Sequence, residues 1–97
     1  VVYIGVLNPW HFPVAKLMLE NGKHVLCEKP LGMNLKESTE LTKLAKQKGL
    51  FLMEGIWSQF FPIYKNIKEE IDSGAIGDIK QVIVSIGRCR LDGKRLT

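Results

Sequence analysis

The sequence predicts an α/β fold built on a parallel sheet, and three observations lead to that prediction. Short apolar runs alternate with stretches whose apolar residues recur at helical spacing, in the order strand, helix, strand, helix, strand, helix, strand. The first three apolar runs have no polar alternation, which is typical of strands covered on both faces. A helical segment joins each strand to the next, as right-handed crossovers between parallel strands require.

The first strand and helix lie within the first 22 residues. Residues 1–6 form an apolar run rich in β-branched side chains, which predicts a buried strand. Asn8 and Pro9 signal a turn and a helix start. Apolar residues then repeat at helical spacing over residues 12–21, and Gly22 suits the position after the helix because it tolerates positive φ.

The second strand, helix and third strand follow the same pattern. Residues 24–28 are predicted to form the second strand, and the stretch H-V-L-C-E-K-P contains it. Asn34 and Glu37 have the spacing of a capping box at the start of a helix. Gly49 is predicted to end that helix, and residues 50–53 form a third apolar strand.

The pattern changes after Gly55, where we place a soft domain boundary. Residues 1–55 are then the dinucleotide-binding half, and residues 56–97 begin a second, substrate-binding domain. Pro62 opens a helix that carries isoleucines on one face and ends at Ser73-Gly74. Residues 79–86 alternate apolar and polar side chains, which predicts a longer strand of another sheet. The tail, residues 88–97, has no period.

Composition and charge exclude several classes of protein. No apolar run approaches the length of a membrane span, so we expect no membrane partner. The net charge of +4 is spread over helical faces and the tail, without the clustered basic stripe that nucleic-acid binding requires. Cys27 and Cys89 lack metal-ligand spacing, so no metal site is predicted, and this cysteine usage suits a reducing, cytoplasmic setting. The chain begins inside an apolar run without an initiator Met, so we expect a piece of a longer protein.

The candidate chemistry lies where the predicted strands end. Ligands of open parallel sheets bind beyond the carboxyl ends of the strands, and Glu28 and Lys29 follow the second strand directly. An amine in a partly desolvated cleft can pass a proton near neutral pH, because burial disfavours its charged form. The alternative is an ordinary surface lysine and glutamate. His11 could hold a phosphate or ribose or simply pack, and Trp57 could wall a pocket or belong to the core.

Taken together, four motifs resemble the glucose–fructose oxidoreductase/inositol dehydrogenase (Gfo/Idh/MocA) family over residues 1–87. They are G-K-H-V-L-C-E-K-P, N-L-K-E, G-L-F-L-M-E-G-I-W-S-Q-F-F-P and G-A-I-G-D-I. Within the family, the chain is most similar to the branch that acts on trans-dihydrodiols and on pyranoses such as D-xylose. The resemblance implies the C-terminal half of a doubly wound Rossmann domain, running into the first helix and strand of an α/β substrate domain.

The resemblance also implies roles for individual residues. Lys29 matches the catalytic lysine near the nicotinamide, and Glu28 matches the residue beside it that contacts the cofactor ribose. His11 matches a histidine of the cofactor site, and Asn8 is placed in that site with it. Trp57 matches an aromatic residue of the substrate pocket. The implied cofactor is NADP, with NAD as the alternative, and the implied partners are a small-molecule substrate and a second subunit bound through the C-terminal sheet.

The sequence departs from the family pattern at several points. It contains no Gly-rich phosphate loop and no residue that would select NADP over NAD. Val6 stands where the family often has Thr or Ser, and Gln59 where it often has Arg. The second catalytic group of the family, a Tyr or His of the substrate domain, is also absent from the sequence.

The leading hypothesis is an NADP-dependent oxidoreductase that moves hydride between nicotinamide and a hydroxyl-bearing carbon of a trans-dihydrodiol or of a pyranose such as D-xylose. The chain alone is expected to be inactive. One alternative is a non-catalytic truncated remnant that does not bind the cofactor. A second is another sugar or inositol dehydrogenase of the same family. A binding module on a flavodoxin-like sheet would also fit the alternation, although that fold does not call for the E-K-P motif.

Overall fold

Three short parallel strands form one sheet in the computed structural model, which describes residues 1–87. The strands are β1 (Val2–Ile4), β2 (Val25–Cys27) and β3 (Leu52–Glu54), and their order in the sheet follows the chain. The predicted parallel α/β arrangement is therefore confirmed. The predicted tail, residues 88–97, and Cys89 within it lie outside the described residues.

Two helices connect the strands, and a third follows them. They are α1 (His11–Glu20), α2 (Leu35–Gln47) and α3 (Pro62–Asp72). Short 3-10 turns, Asn8–Trp10 and Trp57–Phe60, precede α1 and α3. None of the helices in residues 1–87 has the length and apolar character needed to cross a membrane.

The helix ends use the residues that the sequence indicated. Gly22 and Gly49 follow α1 and α2 with φ of 71° and 63°, the left-handed region that favours glycine. Asn34 caps α2, since its side-chain oxygen accepts a hydrogen bond from the Glu37 N–H at 3.0 Å. The Glu37 carboxylate bonds the N–H of Met33 at 2.8 Å, one residue before the cap, so the capping box is displaced by one residue.

The core lies between the sheet and the layer formed by α1 and α2. Its buried apolar side chains come from β1, β2, α1 and α2, whereas β3 lies at its margin. They are Ile4, Ala15, Leu19, Val25, Cys27, Leu41 and Ala45. Tyr3, Leu26 and Met53 pair across the three strands and face the other way, and Tyr3 is 62% exposed. The expectation that both faces are covered is therefore wrong for the described residues, which supply helices to one face only.

The predicted strand at residues 79–86 is not formed. These residues have no regular structure, and their side chains are exposed. A strand gains its stability from backbone hydrogen bonds to a neighbour, and none of the described strands pairs with this segment. The predicted helix before it is formed as α3, although Ile63, Ile67 and Ile71 on its apolar face all remain partly exposed.

Candidate functional site

The three strand ends meet at one edge of the sheet, as the parallel topology predicts. The ladder of hydrogen bonds continues past the strands into the residues that follow them. Glu28 N–H donates to the Ile4 carbonyl at 2.9 Å, and Gly55 N–H donates to the Cys27 carbonyl at 2.7 Å. The loops after β2 and β3 therefore start side by side from a backbone held in register.

A cleft of about 610 Å³ opens between these two loops. Lys29, Pro30, Glu54, Trp57, Phe61 and Tyr64 are among the side chains that line it. The Trp57 and Phe61 rings meet edge to face, with centroids 5.1 Å apart. Lys29, the candidate catalytic residue, and Trp57, the candidate substrate-binding residue, thus border one cleft although 28 positions separate them.

Glu28 is held at the base of the Lys29 loop by two contacts. Its Oε1 accepts a hydrogen bond from the Tyr3 hydroxyl at 3.1 Å, and its Oε2 accepts one from the Lys29 backbone N–H at 3.3 Å. The hydrogen bond to Glu28 and the negative charge of that carboxylate raise the pKa of Tyr3 above its ordinary value. The side chain of Lys29 is exposed, so the described residues do not provide the desolvation expected for it.

His11 lies inside the protein, with only 1% of its surface exposed. Its Nδ1 is 2.6 Å from the Pro30 carbonyl oxygen, and its Nε2 is 2.9 Å from the Val6 carbonyl oxygen. A neutral ring can donate to one of these oxygens and a protonated ring to both. The imidazole therefore bridges the chain segments that follow β1 and β2.

The cofactor-binding roles of His11 and Asn8 stay predictions. Both nitrogens of His11 face carbonyl oxygens of the chain itself, so a cofactor contact would need a different ring position. Asn8 is exposed in the turn that follows β1, at the same sheet edge as Glu28.

Sequence reasoning did not assign a role to Glu54. Its Oε1 accepts a hydrogen bond from the Leu31 backbone N–H at 2.8 Å, 23 residues earlier in the chain. The only sequence signal for Glu54 is its position at the end of a predicted strand, which does not reveal the loop that it contacts.

Gly32 was also overlooked, although it lets the loop after β2 approach α2. A Cβ at Gly32 would lie 2.9 Å from Glu37 Cβ, closer than packed atoms allow, and 3.1 Å from Ser38 Oγ, which is tighter than most packed contacts. We expect Gly32→Ala to lower the free energy of unfolding by about 1–3 kcal/mol, the usual cost of overpacking. A urea titration measures this. Gly87→Ala is the control, since its Cβ would meet nothing within 4 Å, and equal stability of the two variants would contradict the prediction.

Cys27 lies fully buried directly beneath the site. Burial raises the pKa of its thiol from 9.0 to about 11, and the charges of Glu54 and Glu28 add to the effect. The stability gained by keeping this thiol neutral is present below pH 9.0 and is lost as the pH rises toward 11.

We therefore expect Cys27 to resist alkylation at pH 9.0, where about 1% of a thiol with this pKa is ionised. Mass spectrometry of the peptide that contains Cys27 measures its reaction with iodoacetamide, in the folded protein and in urea. We expect slow labelling in the folded protein and rapid labelling in urea. Equal rates would show that the thiol is accessible.

Residues 1–56 match the family model described as an oxidoreductase family with an NAD-binding Rossmann fold. Trans-1,2-dihydrobenzene-1,2-diol dehydrogenases are also similar: those of Xenopus tropicalis and Mus musculus are each 44% identical over 87 residues. Those 87 residues are 90% of this chain and 26% of each relative. The chain thus spans about a quarter of the length of the curated relatives that it matches.

Solved structures give a consistent result. Apo scyllo-inositol dehydrogenase from Lactobacillus casei is 29% identical with a TM-score of 0.73, over 80% of this chain and 24% of that one. The 3-ketoreductase KijD10 from Actinomadura kijaniata, solved with NADP and TDP-benzene, is 31% identical with a TM-score of 0.69, over 76% of this chain and 23% of that one. The parallel strands and their helices are therefore those of a Rossmann-type fold.

Proposed function

Because the chain belongs to the Gfo/Idh/MocA family of oxidoreductases, we propose that the protein containing it is an NADP-dependent dehydrogenase. Its substrate is a trans-dihydrodiol or a pyranose such as D-xylose, oxidised at a hydroxyl-bearing carbon. The observation that carries this proposal is the cleft at the sheet edge, which both Lys29 and Trp57 line.

The groups at this edge fit the nicotinamide–ribose end of a dinucleotide. The Glu28 carboxylate, held by Tyr3 and by the Lys29 backbone, can accept hydrogen bonds from ribose hydroxyls. Asn8 offers an amide at the same edge. When bound, the nicotinamide ring supplies hydride acceptance and donation. Open parallel sheets bind ligands beyond the carboxyl ends of their strands, which supports this location.

The chain's own residues orient the substrate and handle its proton. The Lys29 amine, in its neutral form, accepts a hydrogen bond from the substrate hydroxyl and takes up its proton as the carbonyl forms. The rings of Trp57 and Phe61 pack against the apolar face of the substrate and exclude water from that side. Lys29 is thus the catalytic residue, and Trp57 is the substrate-binding residue.

Relatives support the choice of cofactor and substrate to different degrees. The dihydrodiol dehydrogenases are the more identical relatives, which favours a trans-dihydrodiol. The KijD10 structure contains NADP, which supports NADP as the cofactor, whereas the NAD-binding family model and an NAD-binding oxidoreductase from Klebsiella pneumoniae keep NAD as the alternative. The inositol dehydrogenases among the structural neighbours favour a second candidate, the oxidation of a cyclic polyol. A cytoplasmic setting and a homodimer stay predictions.

Steady-state kinetics of the full-length protein test the proposal. NADP and NAD reduction is followed with a trans-dihydrodiol of benzene, D-xylose and myo-inositol, and cofactor binding is titrated by fluorescence. We expect turnover of the dihydrodiol or xylose with NADP as the better cofactor. Turnover of myo-inositol alone would favour the polyol dehydrogenase, and failure to bind either cofactor would favour a non-catalytic protein.

A further inference from the structure

One peptide group in the Lys29 loop is held at both of its polar atoms. The carbonyl of the Pro30–Leu31 peptide lies 2.6 Å from Nδ1 of the buried His11. The N–H of the same peptide donates to the Glu54 carboxylate at 2.8 Å. The two side chains belong to different elements, the first residue of α1 and the last residue of β3.

These contacts act on the residue beside Lys29. Pro30 has no backbone N–H of its own, so the peptide that follows it provides the first backbone N–H on the C-terminal side of Lys29. On the other side, the Lys29 N–H donates to Glu28 and the Glu28 N–H donates to Ile4. The backbone is thus tied to the sheet on both sides of the lysine.

The contact made by Glu54 is the stronger candidate for control of the loop. A hydrogen bond to an ionised carboxylate is about twice as strong as a neutral one. Glu54 is partly buried and pairs in register with Cys27, so its backbone is fixed by the ladder. Its carboxylate therefore reaches the Lys29 loop from a rigid base.

We propose that Glu54 is a positioning residue, whose carboxylate fixes the Pro30–Leu31 peptide and through it the direction of the Lys29 amine. This inference rests on the catalytic role proposed above for Lys29. Glu54 also lines the cleft, and a direct role in proton transfer is the competing explanation that the experiment has to separate.

Two substitutions in the full-length protein separate these explanations. Glu54→Gln keeps an oxygen that can accept from Leu31 but removes the charge, whereas Glu54→Met has similar length and no acceptor. Glu20→Met, on the exposed end of α1, is the matched control. Each variant is measured for kcat, substrate KM, cofactor affinity, and hydrogen exchange of the ¹⁵N-labelled Leu31 amide.

We expect Glu54→Met to lower kcat by about 10- to 100-fold, the usual cost of a misplaced catalytic group, with cofactor affinity unchanged. The Leu31 amide should lose its protection in this variant. Glu54→Gln should keep part of the protection, because its neutral oxygen still accepts from Leu31 although more weakly than a carboxylate, and its kcat should stay within about threefold of wild type.

Three results would overturn the inference. They are unchanged Leu31 protection in Glu54→Met, wild-type kcat in that variant, and a loss in Glu54→Gln as large as in Glu54→Met. The last result would mean that catalysis needs the charge of Glu54, as expected if Glu54 takes part directly in proton transfer. Hydrogen exchange of the Leu31 amide can be measured without turnover. It therefore decides whether Glu54 holds the loop even if the wild-type protein oxidises none of the substrates and the proposed function fails.

Discussion

Lys29→Met in the full-length protein is expected to lower kcat for the dihydrodiol or xylose by about 10²- to 10⁴-fold, the range that general acid–base groups contribute. Methionine has a similar length and cannot accept or donate the substrate proton. Because the side chain is exposed, the stability of the protein should change little. Steady-state kinetics and a thermal melt measure the two quantities.

Lys43→Met is the matched control, since Lys43 is an exposed lysine on α2. It should leave kcat unchanged. Cofactor affinity of the Lys29→Met protein is titrated separately, so that a loss of binding is not mistaken for a loss of chemistry. Wild-type turnover by Lys29→Met would remove Lys29 from the mechanism.

The second large effect is expected in the core. Leu41→Ala should lower the free energy of unfolding by about 2–5 kcal/mol, because it removes a fully buried side chain and leaves a cavity. Leu41 has no exposed surface and packs between α2 and the sheet. Urea titration of the full-length protein measures the change.

Leu35→Ala makes the same substitution in the first turn of the same helix, where the side chain is 83% exposed. It should lower the free energy of unfolding by less than about 0.5 kcal/mol, as surface substitutions usually do. Equal losses for the two variants would mean that α2 does not pack against the sheet as described.

The elements whose signals are local could be predicted from the sequence. Strands and helices alternate as their apolar periods indicate, because neighbouring residues decide which face each segment can bury. Asn34 caps α2, and Gly22 and Gly49 follow their helices, because caps depend on side chains within one turn of the helix end. The shared sheet edge followed from the parallel topology alone.

Features that depend on distant partners could not be predicted in this way. The segment at residues 79–86 has a strand pattern, yet a pattern cannot provide the neighbour that a strand needs. The contacts of His11 with Pro30 and of Glu54 with Leu31 join residues 19 and 23 positions apart. A side chain that bonds a distant backbone group leaves no periodic signal, so these contacts became visible only in the structure.

The hydrogen-bond ladder that runs on into Glu28 and Gly55 has a consequence for heat inactivation. Loops usually loosen at lower temperatures than the elements that carry them. Here the first residue of each loop is still bonded to the adjacent strand, at 2.9 Å and 2.7 Å. Gradual premelting of the site is therefore disfavoured, and the temperature at which activity disappears should coincide with cooperative melting of the three strands.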